Sequence, residues 1–110
     1  MSETIAETKL FALRPNGDRT EFYVRIGKPY VCGQDPETWA CPVSIPPFYD
    51  HLRDIVGGDA FHSLCMGTTF ALRMLHTLTD DGTRIMLDET AEFPFDAYSL
   101  WPGKPRQGHG

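Results

Sequence analysis

The sequence predicts an α+β domain: an antiparallel sheet of three to four strands that begins as an N-terminal β-meander, one long helix packed on one face, and a short helix at the edge. Three observations predict it. Two stretches rich in apolar and β-branched residues, Ile5–Leu13 and Thr20–Ile26, flank Arg14-Pro15-Asn16-Gly17-Asp18, and the Asn-Gly pair is a strong hairpin signal. From Asp59 to about Thr79, apolar residues recur at helical spacing between a favourable N-cap residue and the stop at Asp81-Gly82. A chain of 110 residues that is 41% hydrophobic fills one core rather than two. Residues 1–101 are therefore read as a single domain, and the Gly-, Pro- and polar-rich run 102–110 as a disordered tail.

In the second strand Phe22, Val24 and Ile26 alternate with Glu21, Tyr23 and Arg25, which separates an apolar face from a mixed one. The first strand depends on the turn. A type I turn led by Pro15, with Gly17 in the left-handed conformation, sets Leu10 opposite Phe22. A two-residue Asn16-Gly17 loop sets Phe11 there instead. A slip of one residue exchanges the faces, so the sequence leaves open which of the two meets the core. Gly27-Lys28-Pro29 ends this strand, and Gly33-Gln34-Asp35-Pro36 reads as a second, longer connection. A third strand starts near Thr38, with Trp39, Cys41, Val43 and Ile45 at alternate positions. Pro42, which has no N–H to give a ladder, marks it as an edge or bulged strand. Phe48, Leu52, Ile55 and Val56 then fall at helical spacing between Pro47 and Gly57, which predicts the short helix.

On the long helix, at about 100° per residue, Phe61, Leu64, Cys65, Thr68, Leu72 and Leu75 form one stripe that should face the sheet. Met66, Phe70 and Met74 repeat on nearly the opposite side, so this helix is expected to have something against both faces. Thr83–Asp88 predicts a short fourth strand, and the aromatic, proline-broken segment Phe93–Trp101 predicts an irregular strap across the body.

Fifteen acidic against ten basic residues give a net charge of −5, which disfavours nucleic acid as a partner. The first residues carry no basic, apolar leader, and no apolar run is long enough to cross a bilayer, so a cytoplasmic location and no membrane association are expected. Cys32, Cys41 and Cys65 are odd in number and lack CxxC spacing, which suits reduced thiols. His51, His62 and His76 show neither HExxH nor i, i+4 pairing, so neither metal nor cofactor is expected; a site assembled from Cys41, His51 and Asp54 is the alternative. His62 and Cys65, three apart on one helix, imitate a base and its thiol, but Cys65 lies on the core stripe, where burial keeps a thiol inert. GxSxG, SxxK, GxGxxG and GxxxxGK[ST] are all missing. The helix start after Gly57-Gly58 could draw an anion, but Asp59 fills that place with its own charge.

What remains is chemistry suited to contact. Tyr23 and Arg25 share the mixed face of the second strand, Trp39 lies on the third, and Met66, Phe70 and Met74 make the second helix line; aromatics and arginine are the types enriched at binding hot spots. These six residues form the expected interaction surface.

Val24-Arg25-Ile26-Gly27-Lys28-Pro29, Trp39-Ala40-Cys41-Pro42, and Gly57-Gly58-Asp59-Ala60-Phe61 leading to Ala71-Leu72 together resemble a family of small uncharacterised bacterial domains with a VRIGxP strand end, a WxCP segment and a GxDxxxAL helix start. The resemblance spans about residues 5 to 79, and Ser63 stands in the family's alanine place. It implies a ββββ-with-helix fold and a bacterial source, and carries over no catalytic residue. The expected function is a non-catalytic protein-interaction module, either self-associating or binding a protein partner in the manner of an immunity or accessory protein. The alternative is a small-molecule-binding domain or enzyme with a pocket near Trp39, His51 and Arg25.

Overall fold

Strand β1 (Thr4–Leu13) turns through Pro15–Gly17 into strand β2 (Arg19–Gly27). Arg14 N–H donates to Asp18 O at 2.8 Å, Gly17 N–H to Arg14 O at 2.9 Å, and Gly17 takes a φ of 95°. This is the turn led by Pro15 with glycine in the left-handed position, and it settles the register: Leu10 lies opposite Phe22 and both are fully buried, while Phe11 faces the other way. The computed structural model describes residues 3–50 and 52–98.

The architecture is α+β, with two antiparallel sheets in place of the one expected. Strand β3 (Tyr30–Gln34) pairs with β4 (Glu37–Cys41) across Asp35-Pro36, so the expected long connection is a tight hairpin turn. β3 escapes a pattern reading because Tyr30-Val31-Cys32 is short and a register shift before Gly33 breaks its alternation. Strand β5 (Val43–Ser44) follows β4 after a single residue but pairs with β2 in the other sheet. Pro42 is the crossing point. It has no N–H to continue either ladder, and its carbonyl accepts from Gly27 N–H at 2.8 Å.

The short helix over 47–57 does not form. Pro46–Phe48 is a turn closed by the Ile45–Tyr49 bridge, and Ile55-Val56-Gly57 is strand β6, which pairs with β4. The β-branched pair Ile55-Val56 completes a sheet edge, and Phe48 packs edge-on against Phe22 at 5.1 Å, so pairing and core packing override the helical spacing.

Helix α1 (Ala60–Leu78) begins where expected, with the Asp59 carboxylate accepting from His62 N–H at 2.7 Å. Its buried face is another matter. Ser63, Gly67, Ala71 and Leu75 point at the sheets, while Phe61, placed on the core stripe by periodicity, is 76% exposed. The cause is close approach. A Cβ on Gly67 would lie 2.8 Å from Cys41 Sγ, and one on Gly57 2.5 Å from the backbone nitrogen of Ser63. Small residues occupy this seam at Ser63, Gly67 and Ala71, and apart from Leu75 the larger ones pack along its two shoulders. Leu64 and Leu72 lie on one, Phe70 and Met74 on the other, and all four are half-buried against the core. The two apolar lines read from the sequence are thus the flanks of one contact rather than opposite faces. Nothing among the described residues of α1 is long and apolar enough to cross a membrane.

Strand β7 (Arg84–Met86) pairs antiparallel with β1 over Phe11–Leu13, giving sheet orders β5-β2-β1-β7 and β3-β4-β6. Beyond it, Phe93 is buried in the core, Phe95–Tyr98 form a 3-10 turn, and the Phe95 ring stacks on His76 of α1 at 3.9 Å. The strap, as far as Tyr98, lies on the helix side. Ser99–Trp101 and the expected tail 102–110 fall outside the described residues, as does His51.

Candidate functional site: the open edge of β1

Strand β1 is ten residues long, but β7 covers its outer side over three only. Before Phe11 no strand among the described residues pairs with that side. The hydrogen-bond parity says which groups this leaves. Tyr23 and Gly27 of β2 donate toward Pro46 and Pro42, on the β5 side, so Phe22, Val24 and Ile26 bond toward β1. Their partners Leu10, Thr8 and Ala6 are consequently satisfied. Glu7 and Lys9 direct both N–H and C=O outward, away from the sheet.

Beneath this edge runs a groove of about 470 Å³, lined by Ala6, Glu7 and Thr8 of β1, Val24 and Ile26 of β2, Thr68, Ala71, Leu72 and Leu75 of α1, and Phe93 and Tyr98 of the strap. The lining is mainly apolar. It sits between the inner faces of β1 and β2 and one shoulder of α1, whose own packing is mainly on β4 and β6. A bare strand edge over an apolar groove has a definite capability: an extended segment adds as a strand through main-chain hydrogen bonds while its alternate side chains enter the groove.

The outer face of the same sheet carries two of the expected surface residues. Arg25 pairs with the Glu7 carboxylate, and its guanidinium lies 4.9 Å from the Tyr23 ring. Tyr23 OH donates to Glu21 at 2.9 Å, and the neighbouring carboxylate holds the phenol above its ordinary pKa. Lys9 faces Glu21 at 3.7 Å, and Arg19 lies 4.2 Å from the Phe11 ring. This face is a lattice of charges set against partners, with aromatic rings between them.

Trp39 sits apart, in the second sheet, opposite Val31 and Gly57, with its indole N–H donating to Glu37 at 2.7 Å. Met66 is 44% exposed on α1. Phe70 and Met74, packed on the core, are not free as a surface. The structure therefore brings Tyr23 and Arg25 together and does not join Trp39, Met66, Phe70 or Met74 to them. The groove is lined by neither Trp39 nor Arg25, although Glu7, which pairs with Arg25, belongs to it.

The candidate chemical groups are placed as follows. Cys41 is buried in the helix–sheet seam, its thiol 3.6 Å from Gly27 O; burial, and then the negative Asp54, push its pKa up. Tyr30 OH donates to Asp54. His62 Nδ1 accepts from Gly58 N–H at 2.9 Å, which leaves the proton on Nε2 and no lone pair for drawing one from Cys65. All three cysteines are free thiols, and among the described residues no group of three or more His, Cys, Asp or Glu could hold a metal ion.

Glu7, Thr8 and Lys9 were missed by the pattern reading because an edge is a property of pairing. One signal was available: β1 is much longer than the expected fourth strand that could cover it. Comparison of the chain with models of known protein families, with curated proteins and with solved structures finds no match.

Proposed function

We propose that the chain is a non-catalytic protein-interaction module that receives an extended segment of a protein on the outer edge of β1. The observation that carries this reading is the outward-facing backbone of Glu7 and Lys9 above the apolar groove. Such an edge is a template for pairing unless something blocks it. The Arg25–Tyr23 and Arg19–Phe11 pairs on the adjacent outer face offer the residue types common at protein interfaces. The small-molecule reading retains one supporting observation, since the groove's volume lies within the range of ligand pockets.

The test is selection of binding peptides from a displayed random library, on the wild type and on Glu7→Pro. The proline removes an outward N–H and spares the β1–β2 ladder. Enrichment of peptides by the wild type and by Glu7→Gln, with loss in Glu7→Pro, is the expected result. A failure to enrich at a concentration where the chain is monomeric, or enrichment that survives the proline, overturns the reading. Apolar ligands that raise the melting temperature of the wild type and of Glu7→Pro equally would favour the small-molecule reading.

A further inference from the structure

We propose that the protein segment received at this edge is β1 of a second copy of the same chain, paired antiparallel about a two-fold axis through Thr8. This rests on the reading of the β1 edge as an interaction site and names its occupant.

Hydrogen-bond parity allows few registers. Because Glu7 and Lys9 are the outward-bonding residues, an added strand must set its own outward-bonding residues directly against them. For a second β1 running antiparallel, that leaves registers centred on Glu7, on Thr8 or on Lys9. Centring on Glu7 sets two carboxylates face to face, and centring on Lys9 sets two ammonium groups face to face; like charges directly opposite destabilise a sheet. Centring on Thr8 sets Glu7 against Lys9 of the second copy and Lys9 against its Glu7. Both charges lie on the outer face, where they join the existing pairs with Arg25 and Glu21. The strand is thus complementary to itself in one register and repelled in its neighbours, which is how an edge is kept specific rather than merely adhesive.

Length agrees. β7 takes up the edge from Phe11 onward, so the second strand has room from Ala6 to Leu10, the stretch this register pairs. The arrangement is isologous and closes after two copies. A two-fold axis perpendicular to the sheet keeps both helices on one side, so Thr8 and its symmetry mate, each lining its own groove, come next to each other on that side.

The experiment combines charge exchange with a site-specific cross-link. Sedimentation of the full chain should show a dimer that Glu7→Lys or Lys9→Glu alone dissociates and that the double exchange restores. In a Cys32→Ser background, which removes the exposed native thiol, Thr8→Cys should form a disulfide-linked dimer. The two residues would face each other with Cα atoms about 4.5 Å apart. Ala6→Cys should not form one. Circular dichroism of each variant confirms folding, and the restored dimer of the double exchange guards against a merely misfolded single variant. A monomeric wild type at 100-fold the concentration used for the cross-link (about 1 mM against 10 µM), or cross-linking at Ala6 as efficient as at Thr8, overturns the second copy. If peptide selection by the wild type succeeds while these fail, the edge binds a different protein and the module reading stands. If the Glu7 and Lys9 amides of a monomer resist hydrogen exchange and lose that protection on removal of residues 99–110, the edge is filled by the chain's own C-terminal segment and the proposal is overturned.

Discussion

Gly67 of α1 and Cys41 of β4 meet so closely that a methyl group on the glycine would lie 2.8 Å from the thiol sulfur. In an open helix, alanine is more favourable than glycine by about 1 kcal/mol. Here overpacking of about 1–3 kcal/mol acts against it, and Gly67→Ala is expected to lower stability. In a Cys41→Ala background the same substitution should be less harmful by about 1–2 kcal/mol, as read from denaturant unfolding of the four proteins in a double-mutant cycle. Additive effects would mean that the two residues do not press on each other.

Gly57 presents a harsher case, because a Cβ there meets the backbone nitrogen and Cα of Ser63, at 2.5 and 2.8 Å. Backbone cannot rotate away as a side chain can. Gly57→Ala should lower stability by about 3 kcal/mol, the upper end for overpacking, and adding Ser63→Gly should not restore it. Rescue by that second change would show that the Ser63 side chain, rather than its backbone, sets the limit.

The thiols should react in an order set by burial. Cys32 is exposed, Cys65 half-buried, and Cys41 both buried and held protonated by its surroundings. Alkylation at mildly alkaline pH, followed by peptide mapping, should modify Cys32 first and Cys41 last, at the rate of global unfolding. Modification of Cys41 alongside Cys32 would mean that the helix–sheet seam opens locally.

Two aspartates should make stability fall in acid. The Asp81 carboxylate accepts from the Thr83 hydroxyl at 2.6 Å and from its amide at 3.0 Å, and Asp88 accepts from the amides of Thr90 and Ala91 at 2.8 Å; these bonds hold both carboxyls below the ordinary aspartate range. With the folded value below the unfolded one, the stabilisation is complete above the unfolded aspartate pKa of about 3.9 and is lost as pH falls through the folded values. Asp81→Asn with Asp88→Asn should therefore flatten the acid side of the stability profile. An unchanged slope in urea unfolding across that range would sink the assignment.

The strap should prove to be part of the fold. Phe93 is buried in the core, and Phe93→Ala should cost about 3–5 kcal/mol. Phe95, which stacks on His76, should lose only about 1 kcal/mol as alanine. Similar losses for the two would contradict the burial difference between them.

The elements built from local signals were legible in the sequence. The Asn16-Gly17 turn, the Asp59 cap and the strand expected within Thr83–Asp88 need only their neighbours to be recognised; the first two form, and the strand forms over Arg84–Met86. The helix face was not legible. Periodicity ranks residues by hydropathy, and it favoured Phe61 and Cys65 over Ser63 and Gly67; the contact is decided by how near two backbones come, which selects small residues at its centre. Division into two sheets was hidden for a related reason. Pro42 was read as the mark of an edge or bulged strand, whereas it stands between β4, central in one sheet, and β5, at the edge of the other; a bulge within one strand and a passage between two sheets look alike in one dimension. Of the expected surface residues, Tyr23 and Arg25 reach a shared exposed face because strand alternation alone places them there. The groove and the bare edge arise from what does not pair with β1, and no residue pattern records that.

The partial cover that β7 gives β1 also bears on the order in which the fold is assembled. The β1–β2 turn closes over a handful of residues, whereas Arg84 reaches Leu13 from about seventy residues further along the chain. A hairpin of this kind forms within microseconds, and contacts across such a separation follow more slowly. During that interval Phe11 and Leu13 are as bare as Glu7 and Lys9, and the charges that choose the register are not yet flanked by β7 to limit the length of pairing. A refolding chain therefore passes through a stage in which its first strand is stickier and less selective than in the finished protein, and crowding at that stage diverts chains into aggregates.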